Sequence, residues 1–191
     1  MANTLRTPVG MSSFVHLFTA RAVTPGSEPR FSMNILFDDA AQKSPEYAAM
    51  KKEVAAVVKE KWPNGAPSGL RSPFRDAGEK DYAGYEAGVI YINPWSKQKP
   101  GIVDGRLQDV HAADDVFPGQ LVKATIRPFA YDNSGNKGVS FGLQNVQIVK
   151  ADMPRLDGKK AANSDFDALD ETDPDNDSEI SDNAEADPFD S

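Results

Sequence analysis

The 191 residues leave room for one domain and a remainder, and the absence of cysteine excludes both a disulfide framework and a thiolate metal site. The net charge of −8 is unevenly spread: residues 165–191 hold 12 of the 29 acidic residues and no Lys or Arg, leaving 17 acidic against 21 basic residues, or +4, in 1–164. No apolar run approaches the ~20 residues of a membrane span, and Met1-Ala-Asn-Thr-Leu-Arg lacks the apolar core of a signal peptide, so the expectation is a soluble, cytoplasmic protein with no membrane partner.

In chain order, Phe14 to Arg21 reads as a strand with Phe14, His16 and Phe18 on one face and Val15 and Leu17 on the other. Pro25-Gly26 marks a turn. In Phe31 to Phe37 the apolar Phe31, Met33, Ile35 and Phe37 alternate with Ser32 and Asn34. A helix follows, with Ser44 as N-cap, Pro45 at its first position and Tyr47, Met50, Val54 and Val57 at helical spacing, until Pro63-Asn64-Gly65 stops it. Residues 63–87 read as a long surface loop, a length uncommon unless functional. Val89 to Trp95 reads as a strand and Gly101 to Asp104 as a short one.

Pro118-Gly119 opens a strand that runs to Tyr131, Asp132 to Asn136 has the residue types of a hairpin turn, and Lys137 to Lys150 returns. On the return the apolar residues are odd-numbered at Val139, Phe141 and Leu143, then even-numbered at Val146 and Ile148. That slip points to a β-bulge near Gln144-Asn145. Five or six short strands and one helix fit a mainly β fold, an OB-like small barrel.

The strand 121–131 carries the chemistry. Val122, Ala124, Ile126 and Ala130 share one face, suited to a barrel interior. Lys123, Thr125, Arg127, Phe129 and Tyr131 project from the other, because strand side chains alternate. Cations spaced along a strand track phosphates, and aromatics beside them stack unpaired bases at ~1–3 kcal/mol each. Tyr91 and Trp95 repeat the theme, followed by Lys97 and Lys99, and the long loop adds Arg71, Phe74, Arg75, Lys80, Tyr82 and Tyr85. The plainer reading is solvated cations and rings packed under a loop, and for Phe74, Tyr82 and Tyr85 it weighs as much as stacking. The expected single-stranded-DNA contacts are Arg71, Tyr91, Trp95, Lys97, Lys99, Lys123, Arg127, Phe129 and Tyr131.

Residues 1–152 form the expected domain, 153–164 a linker, and 165–191 an acidic tail too poor in apolar residues to offset its ordering entropy. Near its end Asp187, Pro188, Phe189 and Asp190 set one ring among carboxylates, a pattern that fits a partner's pocket with a basic rim. Tethered to a basic groove, the tail also competes with DNA from a high local concentration.

Two stretches resemble a family of phage single-stranded-DNA-binding proteins with an OB-type barrel. One is Phe117-Pro-Gly-Gln-Leu-Val-Lys-Ala, continuing through Arg127-Pro-Phe-Ala-Tyr-Asp-Asn to Gly138-Val-Ser-Phe-Gly-Leu; the other is Pro94-Trp-Ser-Lys-Gln-Lys-Pro-Gly-Ile-Val-Asp104. The resemblance covers roughly 1–150, and the tail is similar to those of bacterial and phage single-strand binders. It implies action in phage replication, recombination or repair within the infected bacterial host cell, with the tail contacting polymerase, helicase-primase or nuclease; homo-oligomerisation stays open. Two features depart from the pattern: the helix follows the second strand, where an OB-fold places it after the third, and the chain ends Phe189-Asp190-Ser191 rather than on a terminal Phe.

An enzyme is not expected. His16 and His111 stand far apart, and Asp109, His111, Asp114 and Asp115 read more simply as a solvated turn than as metal ligands. Neither a phosphate-binding G-x-x-x-x-G-K-S/T nor a G-x-S-x-G elbow occurs, so no metal or cofactor is expected. The remaining alternative is an acidic-tailed interaction module, or a DNA mimic, whose body has no affinity for nucleic acid.

Overall fold

The computed structural model describes residues 2–159. The acidic tail, with Asp187, Pro188, Phe189 and Asp190, and the end of the expected linker lie outside them.

Nine strands form one sheet: β1 (Leu5–Arg6), β2 (Gly10–Arg21), β3 (Arg30–Phe37), β4 (Arg75–Asp76), β5 (Ile90–Ile92), β6 (Trp95–Ser96), β7 (Gly101–Val103), β8 (Leu121–Asn133) and β9 (Asn136–Lys150). Five of them close on themselves. β8 pairs with β2, β2 with β3, β3 with β6, β6 with β9 in parallel, and β9 with β8. This ring is an OB-like barrel, and closure removes the exposed edges an open sheet would carry. The other four strands are short. β1 extends β8, β7 runs parallel to β9, and β4 and β5 continue outward from β3.

The interior follows the alternation in the sequence. Met33, Ile35 and Phe37 of β3 are fully buried, as are Val122 and Ile126 of β8. On β9 the buried set switches from Val139, Phe141 and Leu143 to Val146 and Ile148. The register explains the switch: Thr125 faces Asn145 while Ile126 faces Leu143, so Gln144 is the extra residue of a bulge.

A single-turn helix α1 (Asp39–Gln42), which the sequence reading did not anticipate, precedes α2 (Pro45–Lys61). Ser44 caps α2 as expected, its hydroxyl accepting from the Tyr47 amide at 3.2 Å. Tyr47 and Met50 enter the core, where the Tyr47 ring meets Phe37 edge-on at 5.6 Å and Phe74 at 5.4 Å. α2 follows the second strand of the ring, as the sequence placed it.

Three expectations change. The strand expected over Val89 to Trp95 is two strands, because Pro94 has no amide to give the ladder; its carbonyl instead accepts from Met33 N at 3.3 Å. The long loop is no free surface loop: β4 and a 3-10 turn at Ala77–Glu79 fold back, burying Ala77 and Tyr85 with Leu36 and Tyr91. The start of the expected linker packs on the body, where Leu156 N donates to Pro118 O at 2.9 Å and the Arg155 guanidinium lies 4.4 Å from the centre of the Phe117 ring.

Candidate nucleic-acid interface

The closed register sets a row of residues around the outside of the barrel. His16 of β2 faces Ser32 of β3, Ser32 faces Trp95 of β6, Trp95 aligns with Gly142 of β9, and Gly142 faces Arg127 of β8. Residues directly opposite in a ladder project to the same side of the sheet. The core residues Leu17, Met33, Phe141 and Ile126 occupy the alternate positions, so this row points outward.

Trp95 is its centre. Its ring meets Phe129 edge-to-face at 5.7 Å, and its indole N–H donates to Ser140 Oγ at 3.2 Å. The Arg30 guanidinium sits 4.1 Å from the Trp95 ring centroid. Both rings are half-buried, held at the edges by protein and open to solvent in part. Arg127 is exposed beside them, with a 3.3 Å contact to Thr4 Oγ1. It lines a recess of about 450 Å³ with Phe129, Glu60 and Lys61.

Further along the hairpin Tyr131 faces Gly138. A Cβ at position 138 would lie 2.5 Å from the Tyr131 hydroxyl and 2.8 Å from the Arg71 carbonyl, so glycine lets the ring lie across the strand. Arg71 is tied there by its backbone, its N donating to Lys137 O at 2.9 Å, with an exposed side chain. Beyond β6, Lys97 pairs with Glu28 at 2.7 Å, both 64% exposed, a solvated pair that a phosphate can compete for. Lys99 Nζ lies 4.7 Å above the Phe18 ring.

Two expected contacts are placed elsewhere. Tyr91 does point away from the barrel interior, but the returning loop covers it. It is 5% exposed and packs edge-on against Tyr85 at 5.3 Å, leaving no face for a base. Lys123 projects from the same side of β8 as Arg127 but four residues away, ~13 Å along the strand, in a groove it shares with Glu46 and Glu86. Those carboxylates oppose a phosphate there.

Sequence reading places none of Arg21, Arg30 and His16 beside Trp95; the register brings them to this side of the sheet. Arg30 and Arg21 stand directly opposite at the ends of their strands, and only the register reveals it. The signal for Arg30 was the outward phase of β3, where Arg30, Ser32 and Asn34 alternate with the apolar residues. Burial, reinforced by Arg21, lowers the His16 pKa from its ordinary value of 6.5 and favours the neutral imidazole at pH 7. Among the described residues no group of three or more His, Asp and Glu is disposed to hold a metal ion, and no helix is long and apolar enough to cross a membrane.

Comparison with known proteins bears on this geometry. Residues 7–178 match the family model described as Enterobacter phage Enc34, ssDNA-binding protein. A search of curated proteins finds no match. Among solved structures, the chain is similar to the single-stranded DNA-binding protein of bacteriophage Enc34 in complex with ssDNA, at 18% identity and a TM-score of 0.68 over 79% of this chain and 88% of that one. Another structure of the Enc34 protein gives 17% and 0.69 over 85% and 88%. The single-stranded DNA binding protein gp2.5 of bacteriophage T7 gives 13% and 0.60 over 83% and 98%. Identities this low speak to the fold alone.

Proposed function

This chain belongs to the phage Enc34 family of single-stranded-DNA-binding proteins, and on that premise we propose that it binds unpaired DNA across the outward row centred on Trp95. The supporting observation is the Trp95–Phe129 pair at 5.7 Å with Arg30 at 4.1 Å from the indole and Arg127 in the same row. Bases stack on the rings while the guanidinium groups neutralise phosphates. Lys97, Lys99, Tyr131 and Arg71 extend this surface at its margins. Because every base has a π-face, the binding tolerates sequence. It involves no bond making or breaking, and the protein serves phage replication or recombination in the cytoplasm of the infected host.

The acidic segment 165–191 is proposed as the recruiting element. Phe189, flanked by Asp187, Pro188 and Asp190, inserts into a pocket on a polymerase, helicase-primase or nuclease. A titration with oligo-dT, oligo-U and duplex of equal length tests the binding reading. The single strand should bind far more tightly than the duplex, whose paired bases are not free to stack. Its affinity should fall with salt at a log–log slope of roughly −0.7 per phosphate neutralised. Equal affinity for duplex and single strand, or none for either, would reject the proposed surface.

A further inference from the structure

A second pair of rings stands on the same outer side of the barrel, across β3 from Trp95. Phe14 is 43% exposed and Tyr82 54% exposed, high values for large aromatic side chains in a packed body. Their rings meet edge-to-face at 5.0 Å. Two independent devices hold them out. The β2 ladder with β3 shifts register between Ser13 and His16, and within that irregularity Phe14 has φ of 44°. Bulky L-residues rarely adopt that left-handed conformation, and such outliers concentrate where a site needs a side chain held in one direction. Tyr82 is carried by the loop that buries Tyr91, and Tyr85 beneath it touches both rings, at 5.4 Å from Tyr82 and 6.2 Å from Phe14.

The pair is also fixed relative to Trp95. The Asn34 side-chain amide donates to Tyr85 Oη at 2.7 Å, and Asn34 Oδ1 accepts from Asn93 Nδ2 at 2.6 Å. That polar chain links the loop, β3 and the approach to β6. His16, two residues beyond Phe14, belongs to the Trp95 row and lies two strand spacings, ~10 Å, from Trp95. A cleft of about 450 Å³ opens beside the pair, lined by His16 and by Arg155, which is paired with Asp157 at 2.8 Å.

We propose that Phe14 and Tyr82 form a second stacking platform, which takes a further unpaired nucleobase of a strand already seated on Trp95 and Phe129. This rests on the binding surface proposed above and lengthens it: the strand leaves Trp95, crosses Ser32 and His16, and ends on the Phe14–Tyr82 pair. A short oligonucleotide fills the first platform only. A longer one reaches both.

Oligo-dT of about four and about sixteen nucleotides, the ends of the range for barrels of this kind, separates the two. Tyr82→Ala removes one exposed ring, and Phe14→Gly removes the other while suiting the left-handed backbone. Each should weaken the long oligonucleotide roughly five- to tenfold or more, leaving the short one within about twofold. Unchanged affinity for the long strand would overturn the second platform and point to a protein contact at these rings. A wild-type chain that binds neither length would instead overturn the surface around Trp95. A readout without variants is photocrosslinking of the wild-type chain to iodouracil-substituted long oligonucleotide. Adducts on Phe14 or Tyr82 support the platform, and adducts confined to the neighbourhood of Trp95 and Phe129 reject it.

Discussion

Arg21 and Arg30 stand directly opposite each other across β2 and β3, and Arg30 also covers the indole of Trp95. Like charges in a direct cross-strand pair oppose folding by roughly 0.2–1 kcal/mol. A bound phosphate removes that opposition, so the pair trades stability of the free protein for attraction to an anion.

Replacing Arg21 exposes the trade, since Arg30 keeps its place over the indole. Arg21→Thr should raise the urea midpoint slightly at low salt, by no more than about 1 kcal/mol in stability, and the gain should fade as salt screens the exposed charge. The same variant should bind oligo-dT less tightly, with a salt slope shallower by roughly 0.7. An unaltered slope would place Arg21 off the path of the strand.

Phe129 and Tyr91 both project from the outer side of the sheet, yet their truncations should differ in kind. Phe129→Ala should weaken DNA binding by ~1–3 kcal/mol and leave the melting temperature little changed, since the ring is half-open and meets Trp95 only at an edge. Tyr91→Ala removes a buried ring from between Tyr85 and Leu36 and should cost ~3–5 kcal/mol of stability. Thermal melts and oligo-dT titrations on both variants check the contrast. A DNA-specific loss in Tyr91→Ala would mean that the loop opens on binding.

His16 gives the protein a pH response of known sign. Burial and Arg21 lower its folded pKa below the ordinary 6.5, so the unfolded chain takes up its proton first as pH falls. Stability from this group is therefore full above about 6.5 and is lost as pH falls from there through the folded pKa. A phosphate in the row has the opposite effect, favouring the imidazolium, so DNA affinity should rise over the same acid window. His16→Gln should flatten both profiles when subtracted from wild type. Identical profiles in the two proteins would remove His16 from the site.

Much of this is legible in the sequence alone. Ser44-Pro45 located the start of α2, and the change of apolar phase on β9 located the bulge to the pair Gln144-Asn145. Alternation placed Arg127 and Phe129 on the outside. Tyr91 shows where such reading stops. The pleat tells which side a ring leaves the strand, but not that residues 75–89, just ahead of it in the chain, will fold back to cover it. Trp95 and Phe129 meet only because β6 pairs in parallel with β9, a closure that no local pattern encodes. Lys123 shows a further limit, since one strand face can run from the Trp95 row into an acidic groove.

Gln144 ties the fold to the site. Upstream of it β9 sends Ser140 and Gly142 outward and Phe141 and Leu143 inward; downstream it buries Val146 and Ile148. Because side chains alternate with period two, a strand that kept every residue but had no bulge would turn Val146 and Ile148 out of the core at ~1.5–3 kcal/mol each. Deleting Gln144 removes that conflict: Leu143 and Asn145 become neighbours, and strict alternation keeps Phe141, Leu143, Val146 and Ile148 all facing the core. What the deletion loses is the local bend and twist of the bulge, which aims the half of β9 that carries Ser140 toward the Trp95 indole. The deletion should therefore leave the urea midpoint near wild type while weakening oligo-dT binding, whereas Gln144→Ala, which keeps the extra residue, should leave both near wild type. A deletion variant that no longer folds would show that the bend itself is needed to close the barrel.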